Sequence, residues 1–108
     1  MSIPLPTPIA LYFRAENAGR PEDLVSCVAS DARVFDEGRT YQGLAAIKAW
    51  KAETKAKFHH TMEPLGAQER DGKIVVKSRL TGDFPGSPIT LDFAFELEGD
   101  KIKSLEIR

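Results

Sequence analysis

The sequence is poor in cysteine, in long apolar runs and in net charge, and each shortage excludes a class of function. Its one cysteine, Cys27, excludes an internal disulfide and any metal site built from several cysteines. The apolar runs are only a few residues long, so no segment is predicted to span a membrane. Because 15 Lys and Arg face 16 Asp and Glu, the net charge of -1 supplies no field to attract nucleic acid or an acidic membrane.

The N-terminal segment also lacks the marks of a secretory signal, since no basic region precedes an apolar stretch between Met1 and Pro8. A reduced, cytoplasmic location is therefore the expectation. The 108 residues, of which 42% are apolar and 29% charged, are typical of one globular domain over positions 1–108.

Helical patterns occupy the N-terminal half of the chain. Thr7 and Pro8 suit the N-cap and first turn of a first helix, and Gly19 suits its end. Proline and two acidic residues open a second, short helix over 21–30. A third helix is predicted over 44–57.

The third helix has two predicted faces. Its buried face is marked by Leu44, Ile47 and Trp50 at helical spacing. Its solvated face is predicted to carry four lysines: Lys48, Lys51, Lys55 and Lys57.

Strand patterns dominate the rest of the chain, which predicts an α+β fold. The predicted strands are 32–36, 58–65, 73–83, 89–97 and 101–107. Asp71 and Gly72 form a hairpin turn signal, and the apolar residues of 89–97 alternate regularly. The alternation breaks in the last strand, which predicts a bulge near Lys103.

Five short motifs, in this order of elements, resemble the nuclear transport factor 2-like superfamily and its SnoaL-like branch. They are Asn17-Ala18-Gly19 between helices, Asp31-Ala32 entering a strand, Asp36-Glu37-Gly38 after it, Tyr41-Gln42-Gly43 before a helix, and the run from Gly82 to Pro88 before the penultimate strand. The resemblance covers nearly the whole chain. It implies a cone-shaped α+β barrel, in which a curved antiparallel sheet wraps around three N-terminal helices and leaves a pocket at the open end.

The superfamily includes ketosteroid isomerase, and the resemblance to that enzyme implies two catalytic residues. Its catalytic tyrosine lies five residues before Asn-Ala-Gly, as Tyr12 does here, and its base lies at the end of the first strand, as Asp36 does. A tyrosine hydroxyl that polarises a carbonyl and a carboxylate that moves a proton make a cofactor-free acid–base pair.

The third catalytic position of that enzyme corresponds to Asp92, which the alternation predicts to point away from the pocket. If Phe93 and Phe95 face the core, then Asp92 faces the opposite side of the sheet. Turning Asp92 inward would expose several large apolar residues at roughly 1.5–3 kcal/mol each. A complete steroid-isomerase mechanism is therefore not expected.

Tyr12 and Asp36 also have structural interpretations. Tyr12 can be a boundary residue with a buried ring and a satisfied hydroxyl, and Asp36 can be a turn residue. Asp36 shares one strand face with Ala32 and Val34, however. If that face lines the pocket, Asp36 becomes a carboxylate with a raised pKa.

Four further residues are expected to line the pocket: Phe13, Tyr41, Trp50 and His60. His59 and His60 are adjacent and, on a strand, face opposite sides, so at most one of them faces the pocket and they are a poor metal pair. No metal and no cofactor is expected. Cys27 lies on an apolar helix stripe and is interpreted as an inert packed thiol.

Three functions fit these patterns. The first is a cofactor-free isomerase, dehydratase or cyclase on an apolar substrate, with Asp36 as the general base and Tyr12 as the acid or oxyanion donor. The second is a pocket that binds a small apolar molecule without catalysis. The third is an interaction domain. The resemblance implies a homodimer formed through the sheet, so the second and third functions can hold together.

Overall fold

Two α-helices, a short 3₁₀ helix and six strands form the fold in the computed structural model, which describes residues 4–108. In chain order they are α1 (Thr7–Ala18), the 3₁₀ helix (Pro21–Ser26), β1 (Val28–Asp36), β2 (Arg39–Gln42), α2 (Leu44–Phe58), β3 (Thr61–Arg70), β4 (Lys73–Thr81), β5 (Ile89–Glu98) and β6 (Lys101–Ile107). The α+β class is as predicted. Among the described residues only two of the three predicted helices are long.

The strands form one mixed sheet in the order β2-β1-β6-β5-β4-β3. Four neighbouring pairs are antiparallel, but β1 runs parallel to β6, with Val34 opposite Leu105. The expected wholly antiparallel sheet is therefore wrong at this one pair. Turn signals in the sequence predict hairpins between consecutive strands only. The β1–β6 pairing joins strands far apart in the chain, so no turn signal predicts it.

The first helix ends where the sequence predicts. Gly19 adopts a left-handed conformation, and its N–H and that of Arg20 donate to carbonyls in the last turn of α1. At the other end, Thr7 is already helical and Pro6 occupies the N-cap position, one residue earlier than expected.

The predicted second helix is shorter than expected and belongs to the 3₁₀ type. It ends at Ser26, and β1 begins at Val28 rather than at Ala32. The apolar residues 24, 27 and 28 are buried as expected, but Val28 is buried from a strand. A run of three apolar positions is too short for periodicity to separate the two structures.

Helix α2 continues through Phe58 and ends at His59, which has a left-handed φ of 49°. The predicted strand over 58–65 therefore starts three residues later, at Thr61. Short strand β2 was not predicted at all. Its two-residue connection from β1, Glu37-Gly38, has positive φ at both positions, the geometry of a tight hairpin.

Strand β5 presents its apolar side chains to one face as the sequence predicts, although Ala94 on the other face is also buried and Ile89 at the start of the strand is exposed. Phe93 and Phe95 are fully buried on the inner face, where they pack against Tyr12 and Phe13 of α1. The predicted bulge is also present, because Lys103 is skipped between the β5–β6 pairs that contain Ile102 and Ser104.

The core lies between α1, the 3₁₀ helix, α2 and the inner face of the sheet. No helix within residues 4–108 is long and apolar enough to cross a membrane.

Candidate active site

A cavity of about 440 Å³ opens between α2 and the inner face of the sheet. Most of its wall is apolar: Trp50, Phe58, Met62, Leu80, Phe84, Pro85, Ile89, Leu91, Phe93 and Ile107. Five polar residues complete it: Asp36, Glu37, Lys51, Thr54 and His60. A mainly apolar wall with a few polar groups is the usual composition of a small-molecule site.

Asp36 reaches the cavity from the last position of β1. Ala32 and Val34 are buried on the same strand face, so the pleat turns the Asp36 side chain inward, as the sequence predicts. Burial raises the pKa of Asp36, and the adjacent Glu37 carboxylate raises it further, while the Lys51 ammonium only partly offsets both effects. A carboxylate with a raised pKa at a cavity wall is suited to accept a proton.

A buried ionic cluster joins both helices beside this wall. The Lys51 Nζ lies 2.9 Å from Oε2 of Glu16, and the Nε2 of His60 lies 3.3 Å from the same oxygen. The Lys51 and Glu16 side chains are each 4% exposed, and that of His60 is 7% exposed. The cluster therefore fixes α1, α2 and the segment before β3 to one another.

Glu16 is ionised in this cluster. Burial alone would raise the pKa of Glu16, but the Lys51 charge and the hydrogen bonds from His60 and Lys51 outweigh burial and hold the pKa below its usual value. A buried carboxylate with two partners is a satisfied group. Lys51 and His60 line the cavity, whereas Glu16 lies behind them.

The prediction that Lys51 belongs to the solvated face of its helix is wrong. Position 51 lies four residues after Ile47, which is fully buried, and so it continues the buried stripe. The burial of Glu16 was also indicated by the sequence, because Glu16 follows Tyr12 and Phe13 at helical spacing. An acid on an apolar stripe requires a partner, and a lysine on another apolar stripe supplies it.

Tyr12 is not among the cavity-lining residues. Its ring packs edge-on against Phe13 and Phe95, and its hydroxyl is buried without a hydrogen-bond partner within residues 4–108. Burial, and after it the charges of Glu16 and Asp36, raise the pKa of Tyr12 well above its usual value. The structure thus brings Asp36 to the cavity and leaves its expected partner Tyr12 in the core.

The four expected lining residues divide into two groups. Trp50 and His60 line the cavity. Phe13 instead packs in the core against Phe93, and Tyr41 stacks on the Trp50 ring with the centroids 4.4 Å apart. Tyr41 therefore supports a wall residue from outside the lining.

The two histidines have different surroundings. His59 is exposed and its Nδ1 lies 3.1 Å from Oδ2 of Asp83, whereas His60 is buried in the cluster. Only His60 lines the cavity, in agreement with the expectation that at most one of the two does. The cause of this difference is the left-handed turn at His59 rather than strand alternation, because neither histidine lies within a strand.

The loop after β4 closes against the segment that carries His60. A Cβ added to Gly82 would lie 2.8 Å from the carbonyl oxygen of Phe58 and 2.9 Å from the Cα of His60. Asp83 also donates its backbone N–H to that carbonyl at 2.7 Å. Only glycine permits this approach, which brings Phe84 and Pro85 to the cavity wall.

Asp92 lies on the outer face of the sheet, as expected. Its side chain is 46% exposed, and Oδ1 lies 3.8 Å from the Nζ of Lys77. The cavity therefore has no carboxyl group at the third position of the ketosteroid isomerase pattern. Arg79 on the same outer face pairs with Glu63 at 3.1 Å. Association of two copies through this face stays a prediction.

Neither the cysteine thiol nor a metal-binding cluster adds a reactive group to the cavity within residues 4–108. Cys27 is fully buried, and burial raises the pKa of its thiol to about 11, so it stays protonated near neutral pH. No group of three His, Cys, Asp or Glu side chains in the described part of the chain is arranged to hold a metal ion.

Comparison with known proteins supports the fold and identifies the family. A structure from Sinorhizobium meliloti, of a protein named as a candidate polyketide cyclase, is 36% identical with a TM-score of 0.91, over 96% of this chain and 95% of that one. A Catenulispora acidiphila protein with a ketosteroid isomerase-like fold, solved with trimethylamine, is 21% identical with a TM-score of 0.81, over 97% and 86%. TerC crystallised with polyporic acid is 19% identical with a TM-score of 0.75, over 94% and 87%.

The last two likenesses concern the fold alone. No curated protein matches the sequence. The family model of the SnoaL-like domain matches residues 9–105, which is nearly the whole chain. The protein therefore belongs to the SnoaL-like domain family.

Proposed function

We propose that this protein is a cofactor-free enzyme that moves a proton on a small apolar carbonyl compound, with Asp36 as the general base. Isomerases, dehydratases and cyclases of this kind share one first step, the removal of a proton from a carbon next to a carbonyl. The observation that carries the proposal is the Asp36 carboxyl group, which has a raised pKa and faces an apolar cavity.

The cavity supports the proposal by its size and by its wall. About 440 Å³ falls within the range of small-molecule sites, and ten apolar side chains exclude water from a bound ligand. Exclusion of water strengthens the base, because the ionised carboxylate is then poorly solvated. The name of the Sinorhizobium meliloti relative as a candidate polyketide cyclase agrees with chemistry of this class.

The experiment measures proton exchange on a probe ketone in deuterium oxide. 2-Tetralone is apolar and carries acidic C–H groups next to its carbonyl, and NMR follows their replacement by deuterium. Binding is measured separately through the fluorescence of Trp50, which is the only tryptophan and lies in the cavity wall.

Asp36→Asn should slow the protein-dependent exchange by about 10²–10⁴-fold, the usual contribution of a general base, and leave probe binding nearly unchanged. Asp92→Asn is the matched control, because Asp92 is an aspartate on the outer face of the sheet, away from the cavity, and its loss should leave the exchange unchanged. If 2-tetralone binds and wild-type protein exchanges it no faster than Asp36→Asn, the catalytic proposal is wrong and a non-catalytic binding domain replaces it.

A further inference from the structure

Lys51 is a buried cation at the cavity wall whose hydrogen-bonding capacity is only partly used. An ammonium group carries three N–H donors. Within residues 4–108, its polar partner is Glu16 alone, at 2.9 Å. The rest of its surroundings are aromatic, with the Trp50 ring centroid 3.9 Å and the Tyr12 ring centroid 5.4 Å from Nζ. Donors therefore remain for an acceptor that enters the cavity.

We propose that Lys51 binds the oxygen of the ligand and stabilises negative charge that forms on it. The inference rests on the proposed function for the substrate class, which it narrows to neutral apolar molecules with a ketone or an acidic hydroxyl. An anionic ligand is disfavoured, because Asp36 and Glu37 present two carboxylates to the same cavity.

Proton transfer from the ligand to Asp36 moves one negative charge from the Asp36 carboxylate to the ligand oxygen. Asp36 takes a proton from the carbon next to the carbonyl, so a C–H bond breaks and an O–H bond forms. The electron pair of the C–H bond becomes the enolate double bond, and the carbonyl electrons move to oxygen. One negative charge thus passes from Asp36 to the ligand oxygen beside Lys51, and no oxidant or cofactor is consumed.

The other two candidates for this role are less well placed. Tyr12 does not line the cavity. His60 does, but its Nε2 is directed at the Glu16 carboxylate, 3.3 Å away. Glu16 and His60 are therefore positioning residues, which hold the Lys51 ammonium at the wall.

The test uses 4-nitrophenol, whose anion carries its charge on an oxygen as an enolate does and absorbs in the visible range. A nearby cation lowers the pKa of the bound phenol. Titration of the bound probe compares wild-type protein with the double variant Glu16→Gln/Lys51→Met, which removes both charges and so leaves no buried ion unpaired. Lys48→Met is the control, since Lys48 lies one turn earlier on α2 and does not line the cavity.

Wild type and Lys48→Met should ionise the bound phenol about tenfold more readily than the double variant, which is one unit of its pKa. Equal ionisation in all three proteins, or no binding of 4-nitrophenol to wild type, overturns the inference. No turnover enters this measurement. A Lys51-dependent shift without proton exchange on 2-tetralone therefore supports the Lys51 site and contradicts only the catalytic proposal.

Discussion

The Nζ of Lys51 and the Oε2 of Glu16 form an ion pair 2.9 Å long in which each side chain is 4% exposed. The pair connects the last third of α1 to the middle of α2, and its lysine forms part of the cavity wall. A buried pair of this kind costs solvation on both sides, so it adds little net stability over an apolar pair. Removing only one of the two charged side chains lowers the free energy of unfolding strongly, because the other charge stays buried without a partner.

The first prediction concerns the stability of this pair. Lys51→Met alone should lower the free energy of unfolding by about 3–5 kcal/mol, because Glu16 is left buried without its cation. Glu16→Gln/Lys51→Met should be more stable than that single variant. Chemical denaturation of the two single variants and the double variant measures the coupling. Additive losses would show that the two residues do not depend on each other.

The second prediction concerns the contribution of Glu16 to stability at low pH. The folded-state pKa of Glu16 lies below its unfolded value, so its contribution to stability is present above the unfolded pKa and is lost as the pH falls through the folded value. Glu16→Gln should therefore flatten the loss of stability below about pH 4.3, the usual pKa of a glutamate. Denaturation curves across that range measure this slope. An unchanged slope in Glu16→Gln would place the acid sensitivity elsewhere.

The third prediction concerns the Tyr12 hydroxyl, which is buried without a hydrogen-bond partner within residues 4–108. Tyr12→Phe removes a buried hydroxyl that forms no hydrogen bond within the described residues. The free energy of unfolding should therefore fall by less than about 1 kcal/mol, or rise. Proton exchange on 2-tetralone should stay near the wild-type rate. A large loss of exchange with intact folding would restore Tyr12 as the acid expected from the sequence.

The fourth prediction concerns the loop that closes the cavity. Gly82→Ala places a methyl group 2.8 Å from the Phe58 carbonyl oxygen, and the backbone must move to relieve the clash. We expect a loss of about 1–3 kcal/mol, typical of overpacking, with weaker binding of 2-tetralone. Gly66→Ala is the control, because no atom lies within 4 Å of its added Cβ. Equal losses of stability and of 2-tetralone binding in the two variants would show that the close approach of Gly82 to Phe58 is not needed to close the cavity.

Local patterns predicted much of this structure because their physical causes are local. Gly19 ends α1, Lys103 forms the bulge, and the alternation places Phe93 inside and Asp92 outside. The parallel pairing of β1 with β6 could not be predicted in this way, since it depends on contacts between strands distant in the chain.

The candidate site was predicted in part for the same reason. Asp36 reaches the cavity because strand parity determines its face. Lys51 was missed because a lysine is normally solvated, and only a partner on another helix makes its burial favourable. Tyr12 was matched by its spacing from Asn17, which determines its helix position but not where its hydroxyl lies in the packed core.

The titration of the Asp36 carboxyl group decides whether Asp36 acts as the base. Carboxyl ¹³C NMR of the free protein gives its pKa, and the rate of 2-tetralone exchange is measured over the same pH range. Burial should raise this pKa above the usual aspartate value, and because the ionised form is the base, exchange should rise with pH through that pKa and then level off. An unshifted pKa, or exchange that does not follow the Asp36 titration, would show that Asp36 is not the base.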